Sequence, residues 1–250
     1  MKSKELYPII DISKWKPTSE KTSLDQWGHD INKCPKQQEF ILKNDPSRCA
    51  NEVIVSKMGQ QANFDIAKND FSRDGVKPSI ISRKFTRPIK SFEKAKLGPS
   101  DGKLTQCFLP ELHKHFMGEE FKNQLGEEYL LRILTSDIDA HFGNIAIYSD
   151  TRKYEKVPSF DFDMAFKGYR LGTYDIALLE QNLEHMKNNN KGIAEKFIDS
   201  FDFDKNALDM LFELPPKVKE LFSIKDWELE EKRSSFVGRM QLIKDCYTKS

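Results

Sequence analysis

Hydrophobic and polar positions alternate over residues 38–43, and a period of two puts successive side chains on opposite faces of a strand, so this stretch is predicted to be a strand. Residues 78–85 have a strand-like composition and are predicted to form a second strand. Between them, the polar string from Asn44 to Ser47 contains a proline and has the composition of a turn that leads into a helix. The apolar positions that follow recur every three or four residues, as a helix with one buried face requires. They are Ala50, Val53, Ile54 and Met58.

After about residue 100 the pattern becomes mainly helical. Residues 127–135 are predicted to form a helix, followed by a strand at 145–148, a turn, and a second short strand that opens at 157–160. From residue 174 to the end the spacing is again helical. The last predicted helix begins near Asp226 and has one apolar face, formed by Trp227, Phe236, Met240, Ile243 and Tyr247. A mixed first third and a helical remainder predict the α+β class, with a change of lobe between residues 89 and 102.

Composition and charge argue against several functional classes. The 250 residues include 40 Lys and Arg against 39 Asp and Glu. The chain therefore lacks the cationic excess typical of proteins that bind nucleic-acid phosphates or anionic membranes. No stretch approaches the roughly 18 apolar residues of a membrane span, and no signal-peptide core is present. The four cysteines are scattered without zinc-type spacing, which favours reduced thiols in a cytoplasmic protein. We therefore expect no direct DNA binding and no membrane span.

The string from Asp139 to Asn144, Asp-Ala-His-Phe-Gly-Asn, is the strongest chemical signal in the sequence. An Asp followed five residues later by an Asn, between a helix and a hairpin, is the catalytic-loop spacing of protein kinases. In such a loop the Asp orients and deprotonates the acceptor hydroxyl, and the Asn contacts a metal ion on the phosphates. Further along, Asp161 and Asp163 supply carboxylates for Mg²⁺, which prefers oxygen ligands. The predicted catalytic residues are thus Asp139, Asn144 and Asp161, and the predicted metal ligands are Asn144, Asp161 and Asp163.

The tetrapeptide that contains Asp161 occurs twice in the chain. Phe-Asp-Phe-Asp spans residues 160–163 and again residues 201–204, where Asp204 precedes a predicted helix and fits an N-cap. The second copy has no loop of the Asp139 type before it. Position in the chain therefore carries the signal, because a loop aspartate taken singly is more typical of a turn or a cap than of catalysis.

Two charged residues of the first third extend the kinase pattern. Kinases hold the α- and β-phosphates with a strand lysine, and a helix glutamate pairs with that lysine. Lys43 ends the first predicted strand, and Glu52 follows nine residues later in the predicted helix, beside its apolar stripe. An exposed lysine and an exposed glutamate are the alternative, but the order and the elements favour the functional interpretation.

Taken in order, these motifs resemble those of the HipA-type serine/threonine kinases, which are toxin kinases with a compact protein-kinase-like fold. Residues 139–144 resemble the D-x-H-x-K-N catalytic loop of that family. Lys43 resembles its ATP lysine, and Asn51-Glu52-Val53 resembles the start of its next helix. Residues 82–87 resemble its adenine hinge, and residues 19–24 resemble its phosphate-side loop.

The resemblance implies a two-lobed fold, with a strand-rich N-lobe over residues 1–88 and a helical C-lobe over residues 89–250. It implies ATP and Mg²⁺ as ligands and transfer of the γ-phosphate to a protein serine or threonine, and to the chain itself. The implied ATP-side residues are Lys43, Glu52, Lys21, Ser19, Arg83, Lys84, Phe85 and His141, the last of which is expected to anchor the catalytic loop.

The resemblance also implies partners. A translation factor such as an aminoacyl-tRNA synthetase is the implied protein substrate. Fewer than twenty residues precede the phosphate-side loop, so the N-terminal subdomain of the family is expected to be missing. A separate antitoxin, or a separate protein equivalent to that subdomain, is therefore an implied partner, and any binding to operator DNA is assigned to it.

Two departures from the family pattern leave other functions open. Residues 1–27 contain no glycine, so side chains of the phosphate-side loop would have to replace close backbone contacts. Gly143 stands where the family loop has a lysine. A phosphoinositide or small-molecule kinase is one alternative, and a catalytically weak pseudokinase that acts as a binding module is another. A secreted effector is the alternative to a cytoplasmic toxin.

Overall fold

The structure is a computed structural model, and it describes residues 6–21, 30–97, 102–114, 118–150, 155–167, 176–189 and 192–249. It has the predicted α+β class, with a six-stranded sheet, a two-stranded sheet and a helical part. The strands are β1 (Ile9–Asp11), β2 (Lys16–Lys21), β3 (Asp30–Lys33), β4 (Glu39–Lys43), β5 (Asn69–Asp74), β6 (Lys77–Arg83), β7 (Ile89–Ser91) and β8 (Ala146–Tyr148). The helices are α1 (Pro46–Gln61), α2 (Phe92–Ala95), α3 (Leu109–His113), α4 (Glu119–Leu134), α5 (Ile176–Asn189), α6 (Ile193–Ser200), α7 (Lys205–Phe212), α8 (Pro216–Phe222) and α9 (Asp226–Lys249). Two 3₁₀ turns lie at Leu104–Gln106 and Phe142–Asn144.

The chain forms two compact units, each built from three segments. The first unit comprises Met1–Thr86, Phe160–Asp163 and Phe203–Arg233. The second unit comprises Arg87–Ser159, Met164–Asp202 and Ser234–Ser250. The predicted division of the chain after residue 88 stays a prediction about domains.

The six-stranded sheet belongs to the first unit, and its strands follow the order β1-β5-β6-β4-β3-β2. β1 pairs with β5 in parallel, and the other neighbours are antiparallel. β6 is buried over four consecutive residues, 79–82, because it lies between β5 and β4 and also contacts the helices α1 and α8. A strand covered on both faces loses the alternating pattern of a half-exposed strand.

The core of the first unit joins the sheet to helices from far along the chain. The predicted apolar stripe of α1 is confirmed, since Ala50, Val53, Ile54 and Met58 are all buried. The ring of Phe71 lies 4.7 Å from the ring of Phe222, centroid to centroid. The hydroxyl of Tyr7 donates to the carbonyl oxygen of Leu211 at 2.6 Å. α7 and α8 therefore complete the core of this unit.

The second unit is built around α4, whose positions 125, 130, 131, 133 and 134 are fully buried Leu or Ile side chains. The ring of Phe92 stacks between those of Phe121 and Phe142, at 5.9 and 6.1 Å between centroids. The backbone N–H of Phe92 also donates to Ile145 O at 2.9 Å. Stacked rings and this hydrogen bond hold α2 and α4 against the segment that contains the predicted catalytic loop.

Two local predictions are wrong. The predicted strand at 157–160 is absent from the described residues, where Lys156 makes an isolated bridge with Ile147. Trp227 does not belong to the buried face of α9, because it is 61% exposed and Leu229 is buried in this turn instead. Of the other members of that face, Phe236, Met240 and Ile243 are buried as predicted, and Tyr247 is only partly buried. None of the described helices combines the length and the low charge that crossing a membrane requires.

Candidate active site

The ammonium group of Lys43 lies between two carboxylates of the first unit. Lys43 is the last residue of β4, Glu52 lies in the second turn of α1, and Asp161 follows β8 in the chain. Lys43 Nζ donates to Glu52 Oε1 and Oε2 at 3.0 and 2.7 Å and to Asp161 Oδ1 at 2.7 Å. The structure thus brings three of the predicted site residues together, although 118 residues separate Lys43 from Asp161. We call these three residues the Lys43 triad.

Burial controls the charges of the Lys43 triad. Burial by itself lowers the pKa of Lys43, but the carboxylates of Asp161 and Glu52 raise it above its ordinary value, so the lysine stays charged. Burial raises the pKa of Glu52, and the Lys43 ammonium opposes this effect. Asp161 is the most exposed member, with a side chain that is 31% exposed. With both carboxylates ionised, the triad has one excess negative charge, and this charge favours a further cation beside Asp161.

Asn69 supports Glu52 and was not predicted. Its Nδ2 donates to Glu52 Oε1 at 3.3 Å, and its backbone N–H donates to the hydroxyl of Ser56 at 3.0 Å. The Ser56 hydroxyl in turn donates to Ala67 O at 2.7 Å. This chain of bonds fixes Glu52 against β5. Asn69 follows the predicted helix without a motif of its own, so the sequence contained no signal for it.

Residues 160–163 are held by the first turns of α1. Asp161 has a left-handed backbone, with φ of 61°, which Asp tolerates better than most residues. The carbonyl oxygen of Asp163 accepts a hydrogen bond from Asn51 Nδ2 at 3.1 Å, and its carboxylate lies 3.4 Å from Arg48 Nη1. Asn51 Oδ1 is buried and has no hydrogen-bond partner among the described residues. A buried acceptor without a partner suits a cation or a donor group.

The remaining residues predicted on the ATP side lie in β2 and in the predicted hinge. Ser19 and Lys21 lie in β2, but their side chains are outside the part of the chain that the structure describes. In the predicted hinge, the backbone N–H groups of Arg83 and Lys84 donate to Lys68 O and Glu39 O at 3.4 and 3.3 Å. The backbone N–H of Phe85 has no partner among the described residues and is the one of these three that adenine would find unoccupied.

The predicted catalytic loop belongs to the second unit and has an internal hydrogen bond between its two key residues. Asn144 Nδ2 donates to the carbonyl oxygen of Asp139 at 3.0 Å. The Nδ2 group is therefore occupied, whereas Asn144 Oδ1 accepts no hydrogen bond from the described residues. The side chain of Asp139 is 43% exposed, so its carboxylate is accessible to an acceptor.

His141 anchors the same loop by folding over Gly143. His141 Nδ1 accepts a hydrogen bond from the Gly143 N–H at 2.9 Å, so in the neutral ring the proton is on Nε2. His141 Nε2 lies 3.7 Å from Asp139 Oδ2. A Cβ atom on Gly143 would lie only 2.5 Å from His141 Cε1. The position of the histidine ring thus favours glycine at 143, at the point where the resembling loop has a lysine.

A second aspartate of this loop, Asp137, has a different environment. Its carboxylate is buried and accepts a hydrogen bond from the guanidinium of Arg132, which is also buried. Asp139 is thus the accessible one of the two aspartates. Sequence reasoning missed Arg132, for which the only signal was a Glu–Arg pair four residues apart, Glu128 and Arg132.

The residues present fit Mg²⁺, which binds through one or two carboxylates together with substrate phosphates. Among the residues that the structure describes, no three His, Cys, Asp or Glu side chains form a ready-made metal cage. Within the first unit, the oxygen atoms offered are the carboxylates of Asp161 and Asp163. Such a donor set is too small for a metal without phosphate and large enough for a metal–nucleotide complex.

Comparison with known proteins finds relatives in structure and not in sequence. No protein-family model matches the chain, and a search of curated proteins found no significant match. The structure of the proinflammatory kinase CtkA from Helicobacter pylori matches with a TM-score of 0.68 at 13% identity, over 97% of this chain and 98% of that one. HipA from Shewanella oneidensis MR-1, solved with HipB and operator DNA, matches with a TM-score of 0.51 at 13% identity, over 87% of this chain and 60% of that one. The chain therefore has the fold of the CtkA and HipA structures, as the sequence motifs predicted.

Proposed function

We propose that the protein is an ATP-dependent kinase that transfers the γ-phosphate to a serine or threonine of a protein. The Lys43 triad is the observation that supports this proposal best. A strand lysine bonded at once to a helix glutamate and to the aspartate after the catalytic loop is the arrangement that protein kinases need for phosphate binding. A surface ion pair would not bury Glu52 and Lys43 together.

In this proposal each residue has a separate task. Lys43 donates to the phosphates, and Asp161, Asp163 and Asn144 hold Mg²⁺. ATP supplies the phosphoryl group, so the bond from the γ-phosphorus to the bridging oxygen breaks and ADP leaves. Asp139 orients the acceptor hydroxyl and takes its proton as the new oxygen–phosphorus bond forms.

The test is γ-phosphate transfer by the wild-type protein and by Asp139→Asn and Asp161→Asn. A matched control is available in the second Phe-Asp-Phe-Asp copy. Asp202 has the same local sequence as Asp161 but is exposed and paired with Lys244 at 2.7 Å. We expect both site variants to lose at least about 100-fold in rate and Asp202→Asn to keep the wild-type rate. Equal transfer by the wild type and Asp139→Asn would refute the role of Asp139.

The acceptor is tested in the same assay. Peptide libraries, the protein itself and phosphoinositide vesicles are offered in parallel, and labelling of vesicles alone would assign the lipid-kinase alternative. Calorimetry with ATP and Mg²⁺ addresses the pseudokinase alternative, because a pseudokinase would bind without transfer. A translation factor as the acceptor stays a prediction.

A separate antitoxin is also part of the proposal. The HipA structure contains HipB and operator DNA, which supports a search for such a partner. Co-purification of this chain with the product of a neighbouring reading frame tests it, and a chain that stays alone under native expression argues for the effector alternative.

A further inference from the structure

Five polar side chains form a buried network behind the predicted catalytic loop. All five belong to the second unit, and none is more than 6% exposed. They are Glu128, Arg132, Asp137, Lys156 and Ser159. We call this set the loop network. No step of the proposed reaction uses any of its members.

Arg132 contacts three groups at once. Its Nε donates to Glu128 Oε1 at 2.8 Å, and Nη1 donates to Asp137 Oδ2. Its Nη2 donates to the carbonyl oxygen of Asn144 at 3.1 Å. A guanidinium group is planar and rigid, so these three contacts fix the backbone at Asn144 relative to helix α4.

Asp137 links Arg132 to the first residue of the catalytic loop, Asp139. Its Oδ1 accepts the backbone N–H of Asp139 at 3.0 Å, and its Oδ2 accepts from Arg132. One carboxylate thus links the guanidinium to the residue proposed as the base. Through Arg132 and Asp137, the network contacts the backbone of both Asp139 and Asn144.

Glu128 and Lys156 connect the network to the segment before Asp161. Glu128 Oε2 lies 2.9 Å from Lys156 Nζ and accepts a hydrogen bond from the Ser159 hydroxyl. Lys156 Nζ also donates to Val157 O at 3.0 Å and to the Ser159 hydroxyl at 3.1 Å. Ser159 precedes Asp161 by two residues in the chain. Two carboxylates and two cations make the network neutral.

Stability alone does not account for such an arrangement. The free energy needed to remove two charges from water offsets much of the attraction between them. Replacing a buried ion pair by well-packed apolar side chains of similar volume often leaves a protein equally or more stable. A buried network can instead define one backbone position, and this network contacts the catalytic loop at two points and the approach to Asp161 at a third.

We propose that Arg132 and Asp137 are positioning residues, which set the distance and orientation of Asp139 and Asn144 for phosphoryl transfer. The proposal rests on the proposed kinase function. Misplacement of a reacting group by about 1 Å can cost about 100-fold in rate, so the network controls the rate without touching the substrate.

Steady-state kinetics of Asp137→Ala and Asp137→Asn test the proposal. Asp137→Ala removes the acceptor for the Asp139 N–H, and we expect kcat to fall about 100-fold while KM for ATP changes less than about twofold. Asp137→Asn keeps an oxygen for that N–H and loses only the charge opposite Arg132. Its kcat is therefore expected to recover at least about tenfold relative to the alanine variant. Wild-type kcat in Asp137→Ala would overturn the proposal.

Ile243→Ala is the matched control for a loss of stability alone. Ile243 is fully buried in α9, in the same unit and outside the network. Its alanine variant is expected to lower the unfolding midpoint and to leave kcat unchanged. If Ile243→Ala lowers kcat as much as Asp137→Ala does, the effect is general destabilisation and the proposal is wrong.

Hydrogen exchange separates failure of this inference from failure of the proposed function. The backbone amides of residues 139–144 are expected to exchange faster in Asp137→Ala and in Asp137→Asn than in the wild type, and to be unaffected in Ile243→Ala. This measurement needs no activity. If the wild type transfers no phosphate, the kinase proposal fails, and unchanged exchange in both Asp137 variants refutes the positioning role independently.

Discussion

The position of the histidine ring over Gly143 predicts that Gly143→Ala destabilises the wild-type protein but stabilises a variant that lacks the ring. A Cβ atom at residue 143 would lie 2.5 Å from His141 Cε1 and 2.6 Å from Nδ1, and 3.1 Å from Glu93 Oε2. Glu93 is exposed and can move away. The His141 ring must also move, and it then loses the 2.9 Å hydrogen bond from the Gly143 N–H. Gly143→Ala must therefore displace the ring.

The magnitude follows from three contributions. Losing the hydrogen bond costs about 1 kcal/mol, and relieving the overlap costs about 1 kcal/mol more. Replacing a glycine reduces the entropy of the unfolded chain, which stabilises the folded state by about 0.4–1 kcal/mol. This gain applies at residue 143 because Gly143 does not have a left-handed backbone, so alanine can adopt its conformation. We expect Gly143→Ala to destabilise the wild type by about 1 kcal/mol. In a His141→Ala background only the entropic gain remains, so the same change is expected to stabilise by about 0.4–1 kcal/mol.

Urea denaturation of the wild type, both single variants and the double variant measures this cycle. The free energies of unfolding give a coupling between the two sites of about 2 kcal/mol. A Gly143→Ala effect of the same sign and size in both backgrounds would show that the histidine ring does not require the glycine. The cycle depends on no assumption about catalysis.

Three further predictions follow from burial and charge. Lys43→Met leaves Glu52 buried without its ammonium partner and should lower the free energy of unfolding by about 3–5 kcal/mol and abolish ATP binding, as measured by denaturation and calorimetry. Restoring stability with Glu52→Gln in that variant should not restore ATP binding. Burial lowers the pKa of His113 to about 4. Below pH 6.5 this histidine is therefore protonated in the unfolded chain but stays neutral in the folded protein. Stability should therefore fall by roughly 2 kcal/mol between pH 6.5 and 4, and His113→Phe should flatten that part of the stability curve. Trp227→Ala should change stability by less than about 0.5 kcal/mol in urea denaturation, whereas Leu229→Ala should cost about 2–4 kcal/mol.

Local patterns predicted the elements that carry the triad. A turn with a proline followed by an apolar stripe predicted α1, alternation predicted β4, and strand-like composition at 78–85 predicted β6. The strands β1, β2, β3 and β5 were not predicted, because they are short and their residues include many charges. β1 pairs in parallel with β5, which lies some sixty residues further along the chain, and the spacing of neighbouring residues does not predict a pairing at that distance.

The buried charges were beyond the reach of sequence reasoning for a different reason. Asp, Glu, Lys and Arg are almost never fully buried unless they are paired, so a sequence containing Glu128 and Arg132 predicts an exposed helix face. Only the fold brings Lys156 to Glu128 and makes the group neutral. Conversely, Trp227 fits the apolar spacing of α9 and is nevertheless exposed, since spacing predicts a face and not the neighbour that covers it. The second Phe-Asp-Phe-Asp copy was interpreted correctly, as Asp204 accepts the N–H of Ala207 at 2.7 Å and caps α7.

The three-segment construction of the first unit bears on how the protein is made. Tyr7 bonds to Leu211, and Phe71 packs on Phe222, so the hydrophobic core of this unit needs helices that are translated more than 110 residues after the sheet. At roughly 5–20 residues per second, on the order of ten seconds pass on the ribosome between residue 86 and residue 233. During that time the sheet has emerged with α1 but without α7 and α8, and the apolar surface that these two helices cover is open to chaperones and to other nascent chains. Slow codons before residue 203 should therefore lower the soluble yield of the protein.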